Sequence, residues 1–181
     1  MLTISNDGKL VVVSDTVSTP SQVYIYSGSS TATVADLILS VSGETATAAA
    51  FSPDQLKLFI LTNLGNMYVY STVDALTSVP IAASATDVKF SADGSFAYVA
   101  GTPAPGTSIS GFATCNPQLP QGDLGFVTTS GIPLQIFPSP DAQHVIAIDP
   151  PNIDVFTAQS QQIPLSDGQF TCCLLYTSRC V

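Results

Sequence analysis

Phe90-Ser91-Ala92-Asp93-Gly94-Ser95-Phe96-Ala97-Tyr98-Val99-Ala100 reads as a tight turn running straight into a short apolar strand. Asp and Gly mark the turn, because Asp accepts hydrogen bonds from nearby backbone N–H groups and Gly tolerates left-handed geometry. The unit recurs as Phe51-Ser52-Pro53-Asp54-Gln55-Leu56-Lys57-Leu58-Phe59-Ile60, as Ile4-Ser5-Asn6-Asp7-Gly8-Lys9-Leu10-Val11-Val12-Val13 and as Ser139-Pro140-Asp141-Ala142-Gln143-His144-Val145-Ile146-Ala147. The aspartates that set its phase, Asp7, Asp54, Asp93 and Asp141, lie 47, 39 and 48 residues apart. Periods of about 40 to 50 residues belong to propeller blades.

The register extends beyond the aspartate. Four to six positions on come Val11-Val12-Val13, Leu58-Phe59-Ile60, Ala97-Tyr98-Val99 and Val145-Ile146-Ala147. Such continuous apolar runs, bounded by turn residues, predict strands buried on both faces, here the inner strands of each unit. Each then returns through a hairpin, to Val23–Tyr26, Met67–Tyr70, Ser108–Phe112 and Ile153–Phe156. A weaker strand (Leu37–Val41, Ile81–Ala83, Gly125–Thr128) and a pre-turn strand (Thr45–Phe51, Thr86–Phe90, Pro133–Phe137) bring the count to about four per unit. The expected architecture is all-β, with about four blades of a β-propeller over residues 1–170.

The Ser-Pro-Asp-x-x-x-Leu-Phe-Ile run at Ser52 and the Ser-Ala-Asp-Gly-Ser-Phe-Ala-Tyr-Val run at Ser91 resemble the phase-setting motif of YVTN-type and lactonase-like β-propellers, distant relatives of the WD-repeat class. The resemblance covers roughly residues 1–160. It is close in two units and loose in two, since Asn6 replaces Pro or Ala and Pro138 stands before Ser139 where Phe or Ile is expected. It implies a propeller of about six to eight blades, of which this chain is an incomplete piece, and it says almost nothing about activity. Blades missing from an open arc would leave apolar sheet faces bare at its ends, an aggregation hazard. Some lactonase-like propellers hydrolyse sugar lactones, so the resemblance also admits a hydrolase or isomerase whose catalytic residues lie outside these residues.

Composition narrows the function classes. Hydrophobic residues make up 45% of 181 positions, enough for a real core, while 9% are charged against about 25% in an average soluble protein. A surface made of Ser, Thr, Asn, Gln and Gly suits an exported β protein, and the expected location is secreted, periplasmic or cell-surface in a bacterial-type protein. Thirteen acids face four bases, Lys9, Lys57, Lys89 and Arg179, for a net charge of -9. Phosphate backbones and anionic lipids are repelled, which disfavours nucleic acid. No apolar run approaches the roughly 18 to 20 residues of a membrane helix. Met1 lies almost inside a repeat and no signal segment precedes it, so the chain reads as a fragment with any signal peptide upstream. The run Thr171-Cys172-Cys173-Leu174-Leu175-Tyr176-Thr177-Ser178-Arg179-Cys180-Val181 changes composition abruptly and resembles translated adapter sequence. Residues 171–181 are therefore read as a non-native tail.

The residues that could carry chemistry resolve mostly into structure. His144, the only histidine, occupies a register position filled elsewhere by Leu10, Lys57 and Phe96, so a surface or structural role is expected rather than a general base. Cys115, Cys172, Cys173 and Cys180 lack zinc spacing, and Cys115 reads as a half-cystine or a free thiol. The phase aspartates read as turn residues. Asp15, Asp149 and Asp154 lie near hairpins where a cation could sit, yet no D-x-D-x-D-G loop supports calcium. Outside the tail only Lys9, Lys57 and Lys89 could meet a phosphorylated lactone, and no nucleophile elbow, Ser/His/Asp set or phosphate loop exists. The sequence asks for no cofactor, metal or catalytic residue. It predicts a non-catalytic binding or scaffold segment whose loops meet a protein or glycan, and whose ends meet missing blades of the same chain.

Overall fold

The computed structural model describes residues 2–29, 32–71, 76–114 and 126–158. They form four antiparallel sheets in chain order. The first holds β1 (Thr3–Ile4), β2 (Leu10–Asp15), β3 (Gln22–Ser27) and β4 (Thr33–Ile38). The second holds β5 (Ala46–Phe51), β6 (Lys57–Thr62), β7 (Asn66–Ser71) and β8 (Thr77–Pro80). β9 (Asp87–Phe90), β10 (Phe96–Ala100), β11 (Ser108–Ala113) and β12 (Phe126–Thr128) make the third, and β13 (Gln135–Pro138), β14 (His144–Asp149) and β15 (Asn152–Thr157) the fourth. Every sheet is an up-and-down meander whose strands pair only with their chain neighbours.

The sheets are blades of a β-propeller. First strands lie side by side along the array, β1 against β5, β5 against β9 and β9 against β13. Three apolar clusters fill the three gaps between consecutive sheets. Side chains alternate across each strand, so a central strand serves two gaps at once. In β6, Leu58 and Ile60 face the first blade while Phe59 and Leu61 face the third. That double duty is why the run reads as continuously apolar, and burial of each such side chain contributes about 1.5 to 3 kcal/mol.

Two details depart from the sequence reading. The apolar runs expected as inner strands are second in each sheet, and the pre-turn strands stand innermost, where small residues such as Ala48, Ala49 and Ala50 let neighbouring blades converge. The weaker strands of the first two blades also lie earlier than expected, at Thr33–Ile38 and Thr77–Pro80, so that Ile81–Ala83 fall outside the strand. Leu39 and Ala85 lie instead in crossovers to the next blade, buried without being strand, so apolarity there marked packing rather than pairing. Residues 171–181, Cys115 and Gly125 lie outside the described residues.

Candidate functional site

The turns between first and second strands are four copies of one structure. Ser5, Ser52, Ser91 and Ser139 each donate from Oγ to Oδ1 of the aspartate two residues on, at 2.7, 2.5, 2.6 and 2.5 Å. The same Oδ1 accepts the backbone N–H of Lys9, Leu56, Ser95 or Gln143 at 3.0 to 3.1 Å. Serine Oγ in turn accepts the N–H that opens the second strand, from Leu10, Lys57, Phe96 or His144, at 2.9 to 3.0 Å. The residue after each aspartate has positive φ, namely Gly8 (71°), Gln55 (64°), Gly94 (75°) and Ala142 (57°). Asn6 and Pro138 therefore change nothing in the geometry, and His144 serves this turn through its backbone. Sequence reasoning found the aspartates and passed over their serine partners, although the Ser-x-Asp spacing is present in all four units.

In three of the turns these hydrogen bonds favour the ionised carboxylate. The Lys9 N–H and then the Ser5 hydroxyl bring Asp7 down to about 2, and the Ser139 hydroxyl with the Gln143 N–H lowers Asp141. At Asp93 burial pushes the carboxyl up, but Ser91 and Ser95 outweigh it and the net shift is downward.

The turns form a row at one end of the blades, and the gaps between them differ. Between the first two blades Gln55 crosses over to Asp7, and the amide orientation that satisfies both groups puts its nitrogen 2.8 and 3.2 Å from the carboxylate oxygens. Between the second and third, Pro53 lies over Gly94. Between the third and fourth, Ala142 occupies the register position of Gln55 and is too short to reach Asp93. A cleft of about 130 Å³ remains, lined by Asp93, Ser95, Phe96, Tyr98, Gln143 and Ala158 among others. Ser95 Oγ donates to Asp93 Oδ2 at 2.7 Å, and the Phe96 and Tyr98 rings stack with centroids 6.4 Å apart. Burial, reinforced by the Asp93 charge, pushes the Tyr98 phenol up to about 12, so it stays protonated. The cleft thus offers a carboxylate, hydroxyls, an amide and two rings. It can take a hydrogen-bond donor, above all a cationic one.

The opposite end of the blades is knitted by buried polar groups that the sequence did not single out. Glu44, the only glutamate, is fully buried in the crossover from first to second blade. Its Oε1 accepts from Thr62 Oγ1 (2.6 Å) and Asn66 Nδ2 (2.7 Å), and its Oε2 accepts from the Tyr68 hydroxyl (2.6 Å). Burial pushes the carboxyl up, the three donors overcome it, and the group lies below its ordinary value. Asp87 joins the innermost strands of the third and fourth blades by accepting the Ile136 N–H at 3.0 Å. No local pattern in sequence marks either residue as buried, because the donors to Glu44 come from the β6–β7 hairpin and the cross-blade donor to Asp87 from β13.

The remaining candidates have local duties. Asp15 accepts from the Ser18 hydroxyl and the Val17 N–H, which lower it. Asp149 accepts the Gly131 N–H at 2.5 Å, and Asp154 accepts the Ser130 N–H at 2.7 Å. These three acids fasten loops, and among the described residues no three His, Cys, Asp or Glu side chains gather as for a metal. Lys9 pairs with Asp7 at 3.1 Å, Lys89 pairs with Asp87 at 2.9 Å, and Lys57 donates to the Thr114 carbonyl of the third blade.

No protein-family model matches the chain. No curated protein matches it. Solved structures do, including a functionally unknown protein from Desulfotomaculum acetoxidans (22% identity over 86% of this chain and 50% of that one, TM-score 0.65). A predicted 6-phosphogluconolactonase from Bacteroides uniformis matches at 19% identity over 86% and 49%, TM-score 0.66. Sqt1 from Chaetomium thermophilum matches at 18% over 88% and 45%, TM-score 0.69. At these identities the likeness shows the propeller fold alone, and the chain spans about half the length of the structures it matches.

Proposed function

We propose that this chain is a non-catalytic binding segment of an exported β-propeller, and that its row of turns receives a donor-bearing side chain from a protein partner in the cleft between the third and fourth blades. The observation that carries this is the unfilled place at Asp93. At the equivalent junction two blades earlier in the array, Gln55, its amide oriented to donate, supplies a donor to Asp7 from within the chain. Ala142 supplies none, so an ionised carboxylate flanked by two aromatic rings is left for a Lys, Arg or Gln of a partner. A net charge of -9 favours a basic partner segment. Sqt1, one of the fold neighbours, has been solved bound to the N-terminus of ribosomal protein L10, which supports protein recognition by this architecture. The exported location rests on the scarcity of charge. A lactonase-like reading has only a fold neighbour behind it, and the three lysines that would meet a phosphorylated substrate already have partners in the chain.

The test is Ala142→Gln, which copies Gln55 into the cleft. Titration of the folded chain with arginine amide, followed by amide NMR, is expected to shift Ser95 and Gln143 in the wild type and not in the variant. Shifts of equal size in both, or none in the wild type, would refute the assignment. A response to oligosaccharides but not to arginine amide would move the reading to a glycan.

A further inference from the structure

At the end of the blades opposite the turns, the second and fourth blades handle buried charge in opposite ways. Ten residues before the phase aspartate stand Glu44 in one and Gly131 in the other, and eight residues after it stand Thr62 and Asp149. Across the hairpin Asp154 pairs with Ala147 as Tyr68 pairs with Ile60, so Asp154 holds the place of Tyr68. In the second blade a single carboxylate on the crossover meets three neutral donors of the hairpin. In the fourth the hairpin itself carries two carboxylates, and the crossover answers them with Ser130 and Gly131.

Those donors fall one short. Asp154 accepts the Ser130 N–H on Oδ2 at 2.7 Å and the Ser130 hydroxyl on Oδ1 at 3.1 Å, and Asp149 accepts the Gly131 N–H on Oδ2 at 2.5 Å. Asp149 is 0% exposed, and its Oδ1 is buried with no hydrogen-bond partner. Both acids face the gap beneath the third blade, Asp149 in line with Val145 and Ala147 and Asp154 in line with Phe156. As diagonal neighbours across an antiparallel pair their Cα atoms stand about 7 to 8 Å apart and their Cβ atoms somewhat closer, within reach of one ion bound to both. Lys9, Lys57 and Lys89 are engaged in other blades, and His144 lies at the turn end of β14. A carboxylate oxygen taken out of water without a donor or a counter-charge is strongly unfavourable, and such an orphan points to an ion.

We propose that Asp149 and Asp154 hold a calcium-type cation that ties the crossover between the third and fourth blades to the β14–β15 hairpin. Two carboxylates suit such an ion, which completes its six to eight oxygens with backbone carbonyls and water. Asp154 is half-buried and Ser130 exposed, which gives the ion a way in. Magnesium keeps several of its waters and fits poorly against an oxygen closed to solvent. The site lies at the opposite end of the blades from the cleft at Asp93 and is independent of it.

Isothermal titration of the 181-residue chain with calcium chloride is expected to show one ion bound per chain with a dissociation constant of about 10⁻⁴ to 10⁻³ M, and a much weaker response to magnesium chloride. Asp149→Asn and Asp154→Asn should each weaken calcium binding by about tenfold or more, while Asp36→Asn, an exposed acid of β4, should leave it unchanged. Urea unfolding supplies a readout that a merely structural role would not give. Without calcium Asp149→Asn should unfold at or above the wild-type midpoint, because it removes an unpaired buried charge, and with calcium it should unfold below it. A carboxylate that only anchors Gly131 would leave the variant lower in both buffers, which would overturn the proposal. So would a wild type that takes up no calcium, uptake equal in the wild type and both hairpin variants, or an equal response to magnesium.

Discussion

Removing the Glu44 side chain should be among the most damaging single changes in the molecule. The carboxylate is fully buried and receives three hydrogen bonds, from Thr62, Asn66 and Tyr68, at 2.6 to 2.7 Å. Hydrogen bonds to a charged group contribute about 1.5 to 3 kcal/mol each, and their donors pay desolvation when stranded. Thr62 retains a contact to the Asn66 carbonyl at 3.2 Å and Tyr68 one to Ser40, so the loss is partial. Glu44→Ala should therefore destabilise by about 3 to 5 kcal/mol. Glu44→Gln keeps the acceptor toward Thr62 and Asn66 but turns a nitrogen toward the Tyr68 hydroxyl, for a loss of about 1 to 2 kcal/mol. Urea unfolding at fixed protein concentration and neutral pH measures both. The sign of the pH dependence follows from a carboxyl whose folded value lies below its ordinary one. Its contribution is complete above the ordinary carboxylate value and is lost as pH falls through the folded one. The gap between wild type and Glu44→Gln should accordingly narrow on acidification. An alanine variant within about 1 kcal/mol of wild type, or a gap that widens in acid, would refute the assignment of an ionised, hydrogen-bonded glutamate.

Three further outcomes follow from the turns. Ala142→Gly should raise the urea midpoint by about 0.5 to 1 kcal/mol of stability, since relief of a left-handed alanine outweighs the entropy glycine adds to the unfolded chain; a lower midpoint would contradict it. Gly101→Ala should cost more than about 3 kcal/mol, because the new Cβ would lie 2.2 Å from the Ser84 carbonyl oxygen on top of its positive φ. Gly8→Ala, with nothing within 4 Å, should cost only about 1 kcal/mol, and equal losses in the two variants would exclude the steric explanation. Acid titration followed by circular dichroism should show cooperative loss of structure as pH falls from near 4 toward 2. Asp7, Asp93 and Asp141 all have lowered folded values, so the stability they confer is present above the ordinary carboxylate range and disappears as they are protonated. Unchanged stability at pH 2 would count against the turn carboxylates.

Legibility in this chain tracks the range of the interactions. The Ser-x-Asp turn closes within five residues, and the apolar run behind it alternates between two gaps of the same array, so both repeat visibly and mark the four blades of the described residues. Strand order within a blade was less legible, because burial on both faces marks a strand as central without saying which edge lies nearest the axis. Only the small Ala48-Ala49-Ala50 run of β5 hinted that the pre-turn strand stands innermost. Glu44 and Asp87 were invisible for a different reason. A lone acidic residue in a charge-poor sequence looks like surface, and what makes each of them internal is a partner brought in from a hairpin or from the next blade.

The cleft shows how a repeat can make a site by omission. Its carboxylate, serines and rings belong to the blade pattern and carry no signal of their own, since every unit has a Ser-x-Asp turn. What differs is one position, where Gln55, Gly94 and Ala142 occupy equivalent places and only the glutamine reaches its neighbour's aspartate. Aligning the four units by their aspartates exposes that difference before any coordinates are known, provided the question asked is what each side chain can reach. The same alignment pairs Ile146 and Ile153 with Phe59 and Met67. An apolar residue on the fourth blade therefore matches one that the second blade buries beneath the third.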